Sequence, residues 1–223
     1  MIKQLSRINL PFSFCRTTAA QTHHEKINLP GNISWLTANR LPYNQNFLDD
    51  LKICISDSNA GCVIDGCNEG TASFLSSKGF EKINLGKEAV LEMNGNHFDK
   101  KSLKELVRRG LRNKIFVELH FNSEISEKLF RFRKECSHGN EPQLKYLFND
   151  EMNDFNRLFV ISDEQNNWLG AIMISDKDKS FAQTELILRK KNAPVGIMEA
   201  MIYLIYKKLQ TEGCKFWSLG AVP

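Results

Sequence analysis

Apolar positions recur along the chain with two different periods. From Arg157 onward the runs are short and dense in β-branched and aromatic residues: Leu158–Ser162, Trp168–Ser175 and Phe181–Arg189, separated by polar turns at 163–167 and 176–180. That pattern predicts three strands of an antiparallel meander. Residues 190–196 read as a loop. Ile197, Met201, Leu204, Ile205 and Lys208 then share one stripe of a helix running to about Gln210, which Gly213 closes, and Lys215–Leu219 is a last strand. Earlier in the chain the pattern predicts a strand at Asn32–Leu36, a helix at Phe47–Ile55 and a strand at Cys62–Asp65. A helix at Thr71–Ser77, ended by Gly79, and strands at Phe80–Leu85 and Lys87–Met93 follow. Ser102 and Glu105 fit a capping box opening a helix with Leu103, Leu106, Val107 and Leu111 at helical spacing. Next come a strand at Ile115–Phe121 and a helix from Ser123 or Ser126 with Ile125, Leu129 and Phe132 on one side. A helix at Glu141–Phe155, begun by Pro142, completes this stretch.

Composition narrows the class. The 223 residues allow one large domain or two small ones, and 42% hydrophobic with 25% charged residues excludes collagen, low-complexity disorder and a disulfide-dense mini-protein. Cys15, Cys54, Cys62, Cys67, Cys136 and Cys214 form no CxxC pair and have no histidine at zinc-finger spacing, so buried reduced thiols are expected and a metal site is not. No apolar run approaches the roughly 18–20 residues of a membrane span. Residues 1–24 hold Lys3, Arg7 and Arg16 with no acid before Glu25, which reads as a partly disordered leader of loosely transit-peptide-like composition, taken as 1–28. The net charge of +4 is too small to name a partner.

The order helix, helix, three-strand meander, loop, helix, strand over residues 123–223 is that of a Gcn5-related acyltransferase, an analogy of fold and not of function. The expected class is therefore α+β, with a mixed, mostly antiparallel sheet flanked by helices. Two acyltransferase-like halves are expected, 29–122 and 123–223, the second incomplete at its C-terminal end.

Three places carry candidate chemistry. Lys100, Lys101, Lys104, Arg108, Arg109, Arg112 and Lys114 face a single acid, Glu105, and Lys104, Arg108 and Arg112 form one row at i, i+4, i+8. Such a row suits tRNA or an anionic lipid headgroup, and it equally suits a solvated helix face. The loop from Arg189 to Gly196, with Lys191, leads from a strand into a helix N-terminus, a place that favours an anion. Its one glycine and its proline disfavour coenzyme A. Glu185 stands mid-strand, sharing by alternation a face with Gln183, Ile187 and Arg189. It suits a proton acceptor, or an exposed strand acid. His23, His24, His97, His120 and His138 are scattered and support no covalent mechanism.

Three segments together resemble the C-terminal domain of bacterial phosphatidylglycerol lysyltransferases and its uncharacterised single-domain relatives. They are Gly79-Phe80 with Leu85-Gly86-Lys87-Glu88-Ala89-Val90; the basic helix Lys101–Arg112; and Ala193-Pro194-x-Gly196-x-Met198-Glu199 with Leu219-Gly220-Ala221-Val222-Pro223. The resemblance runs from about Gly79 to Pro223. It implies tandem acyltransferase-like folds and a transfer from aminoacyl-tRNA to a lipid hydroxyl or another hydroxyl or amine, with no resident cofactor. On that resemblance Glu185 is base or amine anchor and Arg189 meets the tRNA end. Lys104, Arg108, Arg109 and Arg112 hold tRNA or lipid phosphate, and the location is cytoplasmic or peripheral at the membrane. The family's multi-span membrane domain is absent from this sequence, and its polypeptide continues past the Leu-Gly-x-Ala-Pro piece. An acyl-coenzyme A N-acetyltransferase and a non-catalytic, anion-binding remnant are the alternatives.

Overall fold

The computed structural model describes residues 26–29, 33–37, 61–65, 69–83, 87–120, 122–137, 156–176 and 181–222. The expected leader up to residue 25, the helices at 47–55 and 141–155 and the turn at 177–180 lie outside these residues. The chain divides into two compact units, Met1–Leu85 and Gly86–Pro223. The expected boundary at 122/123 falls inside the second unit.

In the first unit β1 (Lys26–Leu29) pairs antiparallel with β2 (Ile33–Thr37), and β2 pairs parallel with β3 (Gly61–Asp65). Helix α1 (Glu69–Ser76) follows, and Leu75 is its buried anchor. At its end the Phe80 N–H returns to the Leu75 carbonyl at 3.1 Å and the Gly79 N–H to Ser76. Residues 80–83 then run outside any strand with Ile83 largely exposed, so the strand expected at Phe80–Leu85 does not form over its described part. A strand needs a neighbour for its ladder, and one exposed apolar residue provides no reason to acquire one.

The second unit is built on a six-stranded mixed sheet. Its strands are β4 (Lys87–Glu92), β5 (Ile115–Leu119), β6 (Asn156–Ser162), β7 (Trp168–Asp176), β8 (Phe181–Arg189) and β9 (Phe216–Val222), in the order β4-β9-β8-β7-β6-β5. All neighbours are antiparallel except β8 and β9, which are joined through helix α4 (Ile197–Thr211). The class is α+β, as expected, and the three-strand meander is β6-β7-β8. On one face α4 buries Ile197, Ala200, Met201, Ile205 and Leu209 against Phe159, Ile161, Ile172, Ile174 and Trp217. On the other, helix α3 (Ser123–Lys134) buries Leu129 and Phe132 against Leu158, Val160, Met173, Leu186 and Leu188. Each fully buried aliphatic side chain contributes roughly 1.5–3 kcal/mol, so both faces drive folding.

Helix α2 (Lys101–Leu111) packs on α4. Its N-cap is two residues before the expected Ser102: Lys100 is the N-cap and its carbonyl receives the Leu103 and Lys104 N–H groups, with no side-chain cap. Glu105 does not reach back to close a box, because Arg108 and Arg109 hold its carboxylate. Asn122 caps α3, its Oδ1 accepting from the Ile125 N–H at 2.7 Å. Lys208, on the predicted α4 stripe, leaves the core to meet Glu118 of β5 at 2.7 Å, where Arg157 also binds at 2.6 Å. Burial alone would raise the Glu118 carboxyl pKa, yet the hydrogen bonds from Arg157 and Lys208 outweigh it and hold the group below its ordinary value. No disulfide joins the described cysteines. Cys136 is buried, and burial pushes its thiol up to about 11.

Candidate functional site

The sheet of the second unit forks. β8 and β9 share a register of only three pairs, Phe181 with Phe216, Ala182 with Trp217 and Gln183 with Ser218. Beyond them β8 continues along β7 to Arg189, and β9 continues along β4 to Val222. Side chains take over from the ladder at the branch point. Thr184 Oγ1 donates to the Ser218 carbonyl at 2.9 Å and accepts from Trp217 Nε1 at 3.0 Å. Ser218 Oγ accepts from the Gly220 N–H at 3.1 Å, and Gly220 takes φ +101, a left-handed value suited to glycine, as β9 turns away.

A bulge lies at the same point. Met173 of β7 faces Leu186 and the next residue, Ile174, faces Thr184, so Glu185 is the inserted residue. The insertion shifts the alternation. Leu186 and Leu188 face α3, whereas Ala182 faces α4. Glu185 consequently points to the α3 face, where its Oε1 accepts from Ser175 Oγ at 2.5 Å. Glu185 is 4% exposed, so it is a buried carboxylate and not an exposed strand acid. Gln183 remains on its face, but Ile187 and Arg189 are on the other, which corrects the shared face read from simple alternation. Asn156, Ser175 and Gln183 are opposite one another in register, so with Glu185 they make a buried polar row across three strands.

Arg189 is exposed at the end of β8, and its Nη2 donates to the Ala193 carbonyl at 2.9 Å. That bond folds the loop after β8, which is also pinned by Lys190 Nζ on Glu135 at 2.9 Å and the Lys191 N–H on the Glu135 carbonyl. The Lys191 side chain is exposed. Gly196 caps α4 in a left-handed conformation, φ +94. A Cβ on Gly196 would stand 2.2 Å from the Leu106 carbonyl oxygen, and one on Gly110 would stand 2.0 Å from the Gly196 oxygen. The missing side chains thus let α2 and α4 touch backbone to backbone, and this contact by itself explains why residue 196 is glycine.

The basic row on α2 is exposed but not bare. Lys104 meets Asp99 at 3.0 Å. Glu105 accepts from Arg108 through two nitrogens and from Arg109 Nε, all at 2.8 Å. Hydrogen bonds from Arg108 and then Arg109 lower the Glu105 carboxyl to about 2. Arg112 is exposed at the C-terminal end of the helix. The structure therefore gathers Lys104, Arg108, Arg109 and Arg112 on α2, joins α2 to Gly196, and leaves Glu185 on the opposite face of the sheet from Arg189. Ser175, Thr184 and Gly110 were not singled out from sequence. Their signals were three successive polar residues, Gln183-Thr184-Glu185, inside an apolar strand, and a glycine inside a helix of good formers.

The comparisons define first a class of fold. No family model matches the chain, and no curated protein matches it in sequence. Solved structures match it in fold. L-PGS from Bacillus licheniformis superposes with a TM-score of 0.74 at 15% identity, over 90% of this chain and 67% of that one. The DUF2156 C-terminal domain assigned to a lysylphosphatidylglycerol synthetase from Agrobacterium fabrum gives 0.67 at 14% identity, over 86% and 64%. FemX gives 0.59 at 11% identity, over 89% and 74%. The chain thus spans about two thirds of the first two of these proteins, and at such identities the likeness is one of fold. The fold matches that of the lysyltransferase family suspected from sequence. Among the described residues no helix is long and apolar enough to cross a membrane.

Proposed function

We propose that this protein transfers an aminoacyl group from aminoacyl-tRNA to a hydroxyl or amine acceptor, a lipid hydroxyl among them. The observation that supports it most is the position of Glu185, a buried carboxylate at the bulge where the sheet forks. In this reading the acceptor oxygen or nitrogen attacks the ester carbonyl of the donor and the bond to the tRNA ribose oxygen breaks. Glu185 takes the acceptor's proton, which returns to the leaving ribose oxygen. The Ser175 hydroxyl holds one carboxylate oxygen in place for that transfer. No resident cofactor enters the scheme; aminoacyl-tRNA is the co-substrate.

Lys104, Arg108, Arg109, Arg112 and Lys191 provide a positive field for tRNA or membrane phosphate, and Arg189 meets the tRNA end while ordering its loop through Ala193. Because Glu105 already holds Arg108 and Arg109, phosphate must compete for them, and binding should weaken steeply with salt. The test is transfer from tRNA charged with radiolabelled amino acids, offered phosphatidylglycerol vesicles or a small amine. Label should move from tRNA to an acceptor. Acetyl transfer from acetyl-coenzyme A with no movement of label would replace this reading with the N-acetyltransferase one. Binding of charged tRNA without any transfer would leave only the anion-binding alternative.

A further inference from the structure

A pocket lies at the far end of the sheet from the fork. β4 pairs Lys87 with Val222 at the forked end and Glu92 with Phe216 at the closed end, so the loop after Glu92 leaves the sheet at the closed end, on the α4 face, whereas Glu185 points to the α3 face. That loop, α2 and α4 enclose about 460 Å³. The size is within the usual ~300–1,000 Å³ of small-molecule sites. Its body is aromatic: the Phe98 ring centre is 5.2 Å from those of both Tyr203 and Tyr206, inclined at 77° and 56°.

The loop is anchored. The Tyr206 hydroxyl lies 2.8 Å from the Gly95 carbonyl, 2.9 Å from that of Met93 and 3.3 Å from that of Glu92. His97 Nε2 lies 2.8 Å from the Glu92 carbonyl and therefore carries the proton there. The rim is cationic, with Lys104 and Arg108 from α2 and Lys207 from α4; Asp99 meets Lys104 and Glu105 meets Arg108, so a phosphate would compete with both carboxylates. Lys207 Nζ is 5.9 Å from the Tyr206 ring centre, so a cation and an aromatic surface are presented side by side.

We propose that this pocket binds a nucleoside 5′-phosphate unit, with the base against the Phe98 and Tyr203 rings and the phosphate at Lys104, Arg108 and Lys207. Ring faces accept any planar base, and ammonium and guanidinium groups fix a phosphate. The unit has two possible sources, a free nucleotide or a nucleotide within an RNA chain. Arg112 continues the Lys104–Arg108 row one helical turn beyond the pocket, a rise of about 6 Å, where the next phosphate of a chain would fall. The inference shares Lys104, Arg108 and Arg112 with the tRNA reading above but needs no transfer, so AMP binding and label transfer can each fail without the other.

Titration calorimetry on the full chain at low salt tests it with AMP, adenosine, inorganic phosphate and a short oligoadenylate. AMP should bind saturably, about tenfold or more tighter than adenosine or phosphate alone. Lys104→Gln with Lys207→Gln changes two exposed side chains and should weaken AMP by about tenfold at an unaltered melting temperature. Phe98→Leu keeps the apolar volume, removes the ring and should weaken AMP and adenosine alike. Tighter binding of the oligoadenylate than of AMP, reduced by Arg112→Gln, assigns the RNA source; equal binding assigns the free nucleotide. Absence of saturable AMP binding overturns the proposal, as does AMP binding that neither variant weakens. Anionic vesicle binding that the double variant abolishes, without AMP binding, would make it a lipid site instead.

Discussion

β8 has two neighbours and joins them differently. Along β7 the register runs from Asp176 with Ala182 to Gly170 with Arg189, broken once by the bulge at Glu185. Along β9 it lasts three pairs. Beyond the bulge the β7 side is apolar: Ala171 faces Leu188 and Met173 faces Leu186, all four buried. Where β8 parts from β9 it turns polar at Gln183-Thr184-Glu185, and hydrogen bonds between Thr184, Trp217 and Ser218 hold the branch. The difference shows how a sheet opens in a folded core. Strands stay together where apolar surface on both faces and a full ladder agree, and they part where polar side chains satisfy the backbone in place of the neighbouring strand.

Five tests break or sharpen that contrast. The largest effect is expected away from the strands, at the contact that sets α4 behind the fork. Gly110→Val places side-chain atoms on the Gly196 carbonyl and should destabilise by about 3 kcal/mol, seen as a lower midpoint in urea unfolding. An unchanged midpoint would mean that α2 is not seated on α4 as described. Thr184→Val comes next: it removes both hydrogen bonds of the branch and leaves the buried Trp217 indole N–H unmet, for about 2 kcal/mol. Ile172→Val on the continuous side should cost only about 1 kcal/mol. If the two costs were reversed, side chains would not be what holds the fork.

A double-mutant cycle on Glu185 and Arg189 tests the bulge. On opposite faces the two should couple by less than about 0.5 kcal/mol, whereas a pair on one face would couple more strongly. The smallest effect is electrostatic. The Glu105 carboxyl should titrate near 2 by NMR, and Arg108→Gln should move it up toward its ordinary 4.5. Because the folded value is the depressed one, its contribution to stability is complete above about pH 4.5 and is lost as pH falls toward 2. A midpoint near 4.5 in the unmodified protein would show that Arg108 and Arg109 do not hold the carboxylate.

Much of the second unit was legible in the sequence. The meander and α4 are found within two residues of their expected limits, because each shows its own period and its own punctuation: a polar turn at 163–167, Gly196 at the start of the helix and Gly213 after it. The fork was not legible, for physical reasons. Ladder pairing is a tertiary property; the β4 and β9 partners lie about 130 residues apart, and only the register against β7 reveals that Glu185 is inserted. The alternation rule failed at the one residue of greatest chemical interest. Helix α2 shows the same limit on a smaller scale. Ser102 and Glu105 have the spacing of a capping box, but two arginines one turn later compete successfully for the carboxylate. A lone glycine at 110 marks a close approach without naming Gly196 as what approaches.

Single-turnover transfer from labelled aminoacyl-tRNA by the unmodified chain and by Glu185→Gln tests the central claim most directly. The variant keeps the shape and the Ser175 hydrogen bond but not the proton acceptor. Transfer should slow by about 100-fold or more, with tRNA affinity and unfolding midpoint retained. Equal rates in the two proteins would contradict the assignment of Glu185 as the base at the fork.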